Sequence, residues 1–411
     1  MLNQTRSHVL YLVHRFPYPP DKGDRIRAFH IIDYLRSRCD LTVVTFDDSG
    51  VPAADRRTLA GYCDRLEVIP ADRGRAVRGL WRLGRGGCAT LGAFQSAKFG
   101  DAVRRIARET SPDSVLLSSS GLADYLEIPE LRPARTVVDF VDLDSQKWRD
   151  YATQCRGPRR WIYRAEAERL RAVETKLIGG VDAITLVTDA ERRLCMEHCG
   201  AGPIHTVTNG VRAGARPVAL PKQVSLIFVG ALDYRPNIAG VHWFCKNVWP
   251  AIHERHPEVV LRLVGRAPHR SITQLNVPGM EVVGPVPEIR PYLDAATISI
   301  SPLQIARGLQ NKVLEAMAAG RPVIASTGAA EGLMARPGHD LLVADSSAEW
   351  IATLNALIED PARQNELGRA GRAYIEHAHD WSTCLDKLPD LLGLEATTNQ
   401  SERPTPVASL V

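Results

Sequence analysis

Lys312 and Glu315 stand three residues apart inside the stretch Gly308-Leu309-Gln310-Asn311-Lys312-Val313-Leu314-Glu315-Ala316-Met317-Ala318-Ala319-Gly320-Arg321-Pro322-Val323-Ile324-Ala325. The pattern predicts a glycine-led loop, a short helix ending at Gly320, and an apolar strand. The first backbone N–H groups of a helix lack intrahelical partners and carry roughly half a positive charge together. Gly308 lacks a side chain, so an anion can approach those donors closely. The three-residue spacing puts Lys312 and Glu315 on one helix face. That face offers a cation to phosphate and a carboxylate to a diol, the two handles of a nucleotide sugar.

Other chemistry-bearing residues gather after apolar runs. Gly23 and Asp24 end a Pro-rich loop: Gly23 permits a tight turn and Asp24 can cap the next helix, while Arg25 and Arg27 are candidate anion contacts. Asp139, Asp142 and Asp144 follow another apolar run; such carboxylates orient an acceptor hydroxyl or act as a base, or simply cap the loop. Arg73, Arg75, Arg78, Arg82 and Arg85 interleave with Leu80, Trp81 and Leu83, a pattern suited to an anionic membrane surface or to a solvated basic face. Cys195, His198 and Cys199 form the tightest cysteine cluster. A zinc site needs about four ligands and no second pair lies nearby, so no metal is expected. The scattered cysteines read as reduced thiols.

The elements that position these residues follow from apolar runs and helical spacing. Strands are expected at 9–13, 41–46, 66–69, 115–118, 136–140, 183–187 and 204–207, with helices including 26–35 and 159–178 between them. The pattern restarts after Asn209-Gly210-Val211, with strands at 225–229, 259–264, 280–283, 298–301, 323–325 and 341–343 and a helix at 240–256. Strand, helix, strand repetition implies parallel pairing and an α/β fold of two halves with a cleft between their strand ends. With 411 residues, 45% hydrophobic and 24% charged, the chain suits two or three globular domains. The net charge of +4 is too small to indicate nucleic acid, and no run reaches the roughly 20 apolar residues of a membrane span. The polar stretch from Met1 to His8 has no hydrophobic signal core, and a cytoplasmic protein is expected.

Taken in order, several segments resemble family 4 glycosyltransferases of the GT-B fold, in which two Rossmann-like doubly wound domains face a central cleft. Ile227 to Asn237 resembles the opening strand and loop of the donor domain; Leu263-Val264-Gly265 and Val283-Gly284-Pro285-Val286 resemble its next two strand ends. Asn209-Gly210-Val211 resembles the interdomain signature, and Tyr374 to Leu388 around Trp381 the terminal helix that recrosses to the first domain. Pro17 to Arg27 and Asp139 to Trp148 resemble the branch of exopolysaccharide sugar transferases associated with exosortase (PEP-CTERM) systems. The resulting division is an acceptor-side domain at 1–208, a linker at 209–222, a donor domain at 223–373, a recrossing helix at 374–394 and a disordered tail at 395–411.

The resemblance implies a retaining, metal-independent transfer from a nucleotide-diphosphate sugar, with no cofactor beyond that co-substrate, to an exopolysaccharide or lipid-linked glycan at the inner membrane face. It implies that Glu315 binds the donor ribose, that Gly308, Leu309, Gln310 and Asn311 face its sugar or phosphates, and that Val286 lies beside the base. Gly230 and Arg235 belong to the same donor site, and Gly23, Asp24 and Arg27 to the acceptor-side loop. Two positions depart from the pattern. Arg307 stands where a glutamate is usual, and Ala231 where a basic residue often follows Gly230. The leaving diphosphate gains negative charge, so Lys312, Arg307 or Arg235 is expected to balance it, with Asp142 as the acceptor-side catalytic candidate. A sugar-nucleotide 2-epimerase and a degenerate sugar-nucleotide binder are the competing functions.

Overall fold

The computed structural model describes residues 6–21, 23–48, 50–72, 74–153, 155–214, 218–304, 306 and 308–394. The expected disordered tail at 395–411 and Arg307 lie outside the described residues. The chain divides into two compact units: one of residues 6–207 joined by 385–394, the other of residues 208–384.

The first unit is a seven-stranded parallel sheet of β1 (His8–Val13), β2 (Asp40–Asp47), β3 (Arg65–Pro70), β4 (Ser114–Ser118), β5 (Arg135–Val141), β6 (Ala183–Leu186) and β7 (Ile204–Thr206), ordered 3-2-1-4-5-6-7. Leu10 pairs with Thr42 on one side and Val115 on the other. Val9 to Leu12 are fully buried, as expected of a central parallel strand covered on both faces. On one face the helix Ala97–Thr110 contributes Phe99, Val103 and Ile106 to a core with Leu10, Val44, Val115 and Ile184.

The second unit is a six-stranded parallel sheet of β8 (Ser225–Val229), β9 (Val260–Val264), β10 (Met280–Gly284), β11 (Ile298–Ser301), β12 (Val323–Ala325) and β13 (Leu342–Val343), ordered 10-9-8-11-12-13. In each unit the strand order reverses once, between β1 and β4 and between β8 and β11. Open parallel sheets bind ligands at the strand C-termini beside such a reversal.

Three expectations are corrected. The helix at 240–256 is two, Arg235–Asn247 and Trp249–Arg255, broken at Val248 because Pro250 has no N–H to continue the first. The stretch 374–394 is the end of Pro361–Ala378 followed by two short helices, Trp381–Cys384 and Leu388–Leu391; at the break the Asp380 carboxylate accepts from the Ser382 N–H at 3.0 Å. The start of the expected linker is bound structure: the Val211 N–H donates to the His379 carbonyl at 2.7 Å, and Arg372 donates to the carbonyls of Ala213 and Gly214.

Candidate functional site

In the second unit the site assembles at the reversal between β8 and β11. Gly308 has φ +61°, a left-handed turn that glycine adopts without strain. It leads through buried Leu309 to Gln310, the extended N-cap of the helix Asn311–Ala318, which contributes no side-chain capping bond. The Asn209 amide donates to the Asn311 side chain at 3.4 Å, tying the segment 209–211 to this helix start. The helix closes at Gly320 with φ +71°.

Lys312, in the first turn, turns back toward the end of β8. Its Nζ donates to Asn237 Oδ1 at 2.5 Å and lies 5.0 Å from the centre of the Phe228 ring. Asn237, itself 3% exposed, donates from Nδ2 to the Ala231 carbonyl at 2.8 Å. Gly230 is what lets this arrangement form: a Cβ there would lie 2.9 Å from Asn237 Nδ2 and 3.4 Å from Lys312 Nζ. Gly265 is tighter still, since its Cβ would meet the Gly230 carbonyl at 1.7 Å. Burial lowers the Lys312 ammonium to about 7 against the attraction of Glu315. Burial raises the Glu315 carboxyl to about 7 against the attraction of Lys312. Burial thus draws the two groups together toward neutrality from opposite sides. Arg235 is exposed on the first residue of its helix, and half-buried Val286 lies just beyond β10.

In the first unit, the loop after β1 lies against the end of β4. His14 Nδ1 lies 3.3 Å from Ser118 Oγ, across the reversal between β1 and β4. Asp24, one residue after the helix-starting Gly23, is contacted by Arg15 at 2.9 Å and His14 at 3.6 Å. Burial opposes its ionisation, but the His14 hydrogen bond and the Arg15 charge hold it well below the usual carboxylate range. Among the described residues the buried Asp142 Oδ1 has no hydrogen-bond partner, and burial, with Glu191 and Asp144 nearby, raises the carboxyl to about 7. It follows Val141, whose φ of +67° strains a β-branched residue. Glu191 and Glu174 hold this turn by accepting from the N–H groups of Leu143 and Ser145. Asp144 lies 3.8 Å from Lys147 and feels the charges of His14 and Arg15.

Arg27 is not an acceptor-side contact. It is 2% exposed and bidentate to Asp139, at 2.7 and 2.8 Å, with Thr185 donating to the same carboxylate at 2.7 Å. Arg25 is also largely buried, against Asp21 and Asp48. Asn237 and His14 were missed in the sequence. Asn237 in the third position of a helix after Pro236 reads only as a cap, and its true partner lies 75 residues away. The Cys195–Cys199 cluster is internal to one helix, with His198 Nδ1 3.0 Å from the Leu194 carbonyl. No helix among the described residues is long and apolar enough to cross a membrane.

Residues 223–360 match a family model described as glycosyl transferases group 1. Over 89 residues the chain is 35% identical to a GDP-mannose-dependent monoacylated alpha-(1-6)-phosphatidylinositol monomannoside mannosyltransferase of Corynebacterium glutamicum, covering 21% of this chain and 23% of that protein. Over 268 residues it is 25% identical to a glycogen synthase of Mycobacterium tuberculosis, covering 61% and 63%. The matches thus span less than two thirds of the length of these curated relatives. Among solved structures, a sucrose-phosphate synthase from Thermosynechococcus elongatus superposes with TM-score 0.71 at 17% identity, over 94% of this chain and 98% of that one. Anabaena HepE in complex with UDP-glucose gives 0.66 at 16%, over 94% and 99%. These likenesses show the fold, which is the GT-B type.

Proposed function

We propose that this chain, with its group 1 glycosyl transferase region at 223–360 on a GT-B fold, transfers a sugar from a nucleotide-diphosphate donor to a hydroxyl of a growing exopolysaccharide or lipid-linked glycan, with retention and without a metal. The observation that carries this reading is the half-buried Lys312–Glu315 pair on the first turns of the helix Asn311–Ala318, beside Gly230 at the sheet reversal. The mannosyltransferase relative is named for a GDP-mannose donor and the HepE structure holds UDP-glucose, which supports a nucleotide-diphosphate sugar as donor.

In this mechanism Lys312 and the N–H groups after Gly308 oppose the charge that the departing diphosphate gains. Arg307 and Arg235 are further sources of positive charge. Glu315 accepts from the ribose hydroxyls, Leu309, Gln310 and Asn311 line the phosphate and sugar side, and Val286 flanks the base. On the acceptor side Gly23 and Asp24 shape the loop, and Asp142 orients the attacking hydroxyl; its unpartnered Oδ1 supports that role. The departing phosphate takes the acceptor proton, so the bond to the new oxygen forms as the bond to phosphate breaks. The branch linked to exosortase systems is supported by the segments 17–27 and 139–148, and a site of action at the inner membrane face suits its acceptors.

The first test is thermal shift and calorimetry against UDP-, GDP-, ADP- and dTDP-sugars with the wild type and Glu315→Ala. Stabilisation by one nucleotide class, lost in the variant, supports the reading. Isomerised donor without acceptor means the epimerase instead, and binding without turnover on any acceptor means a degenerate binder.

A further inference from the structure

Five of the large apolar side chains most exposed among the described residues belong to two helices of the first unit: Val77, Leu80 and Trp81 on Arg75–Gly84, and Trp161 and Ile162 on Pro158–Ile178. Their exposures run from 42% to 70%. The first helix is turned inside out relative to an ordinary surface helix. Gly79 faces inward, where a Cβ would lie 2.9 Å from the Ala89 carbonyl, and inward too are Arg75, over the Phe46 ring at 4.9 Å, and Arg82, paired with Asp124.

The two helices are clamped together where the first one ends. Glu166 accepts from the N–H groups of Ala89 and Thr90 at 2.7 and 2.8 Å, and Arg169 donates to the carbonyls of Leu83 and Gly87. Ile162 precedes Arg169 by seven residues, two helical turns on nearly the same face, so its side of the helix is the one turned toward the end of Arg75–Gly84, with Trp161 next to it in sequence.

The surround is basic. Residues 155–165 contain four arginines and no acid, and residues 73–100 contain five arginines and a lysine and no acid. Arg85, Arg159, Arg160 and Arg164 are exposed, with Arg85 stacked 3.6 Å over Trp81 and Arg164 5.9 Å from the Trp161 ring centre. Two nearby acids are engaged: Asp124 by Arg82 and Glu168 by Arg149 at 2.7 Å.

We propose that Arg75–Gly84 and the first turns of Pro158–Ile178 form one composite face that docks on the anionic surface of a lipid bilayer. Apolar side chains with tryptophan at their centre and arginine at their rim match the boundary between headgroups and acyl chains. Each basic residue near an anionic surface adds attraction that salt screens. A second copy of this chain is the poorer occupant, because a two-fold contact through this face would oppose arginine to arginine. The inference deepens the proposed function and rests on it, placing the face by which the enzyme reaches a lipid-anchored acceptor.

The test is co-sedimentation of the full chain, without donor, with phosphatidylcholine vesicles and with the same vesicles containing phosphatidylglycerol. Binding is expected to the anionic vesicles alone and to weaken at high salt. Trp161→Glu with Ile162→Glu, and Leu80→Glu with Trp81→Glu, should each lower the partition coefficient by on the order of tenfold or more. Arg159→Gln with Arg160→Gln should lower it less and flatten the salt dependence. Met334→Glu, at an 84% exposed site in the other unit, should leave it unchanged. Unchanged circular dichroism shows that each variant folds, and retained thermal shift by the donor separates failure of this proposal from failure of the functional reading. Equal binding to neutral vesicles, undiminished binding by the Trp161/Ile162 variant, or a change of oligomeric state with vesicle binding intact would overturn it.

Discussion

At the scale of single residues, the proposed donor role of the Lys312–Glu315 pair would tie donor binding to pH. Lys312 loses its proton as pH rises through about 7, which removes the charge that attracts the diphosphate. Glu315 gains a proton as pH falls through about 7, which weakens it as an acceptor for the ribose hydroxyls. Donor affinity should therefore peak near neutrality and fall by up to about tenfold per pH unit on either side. Calorimetry across neutral pH checks this: Lys312→Met should flatten the alkaline limb and Glu315→Gln the acid limb. Asn237→Ala leaves the Lys312 ammonium without its acceptor, and should weaken donor binding roughly tenfold, the worth of about one hydrogen bond. That Lys312 and Glu315 share one face of a short helix was legible because three-residue spacing sets it. Asn237 was not, since its bond to Lys312 joins positions 75 apart. Arg27 was misread for the same reason, because the carboxylate it pairs with lies 112 residues along the chain.

At the scale of elements, the strands were legible nearly to the residue because parallel strands buried on both faces read as unbroken apolar runs. The helices were less so: apolar spacing runs across Val248 undisturbed, and only the missing N–H of Pro250 divides them. Arg27 and Asp139 join the helix Gly23–Leu35 to β5 through a buried pair, and breaking one side strands a charge. Arg27→Met should cost about 3–5 kcal/mol in denaturant unfolding, and adding Asp139→Asn should recover part of it. The crossing of the β8 and β9 ends is closer than any side chain permits. Gly265→Ala would press a methyl onto the Gly230 carbonyl, which is backbone and cannot swing away. A loss of about 3 kcal/mol or more is expected, together with loss of donor-induced stabilisation, because Gly230 borders Lys312.

At the scale of the whole molecule, the chain leaves the first unit at Val207 and re-enters it at Leu385. The sequence suggested a return at 374, but the residues up to Trp381 are bound to the second unit: a Cβ on Gly210 would lie 2.7 Å from the Trp381 backbone, and His379 Nδ1 meets the Asn209 carbonyl at 2.9 Å. After Leu385 the side chains of Leu385, Leu388, Leu391, Leu392 and Leu394 are buried, and Arg135 donates to the Leu391 carbonyl at 2.6 Å. Truncation after Cys384 should therefore cost the first unit several kcal/mol, at about 1.5–3 kcal/mol per leucine fully buried. Calorimetry should show a lowered transition for that unit while donor still stabilises the other. The same threading dictates an order of events during synthesis. The second unit is continuous in sequence and can complete its sheet as it leaves the ribosome, whereas the first must wait for its last ten or so residues. At about 5–20 residues per second that wait is on the order of ten to thirty seconds, during which the earlier-made half carries an uncovered leucine-binding surface, the interval in which a chaperone has most to protect.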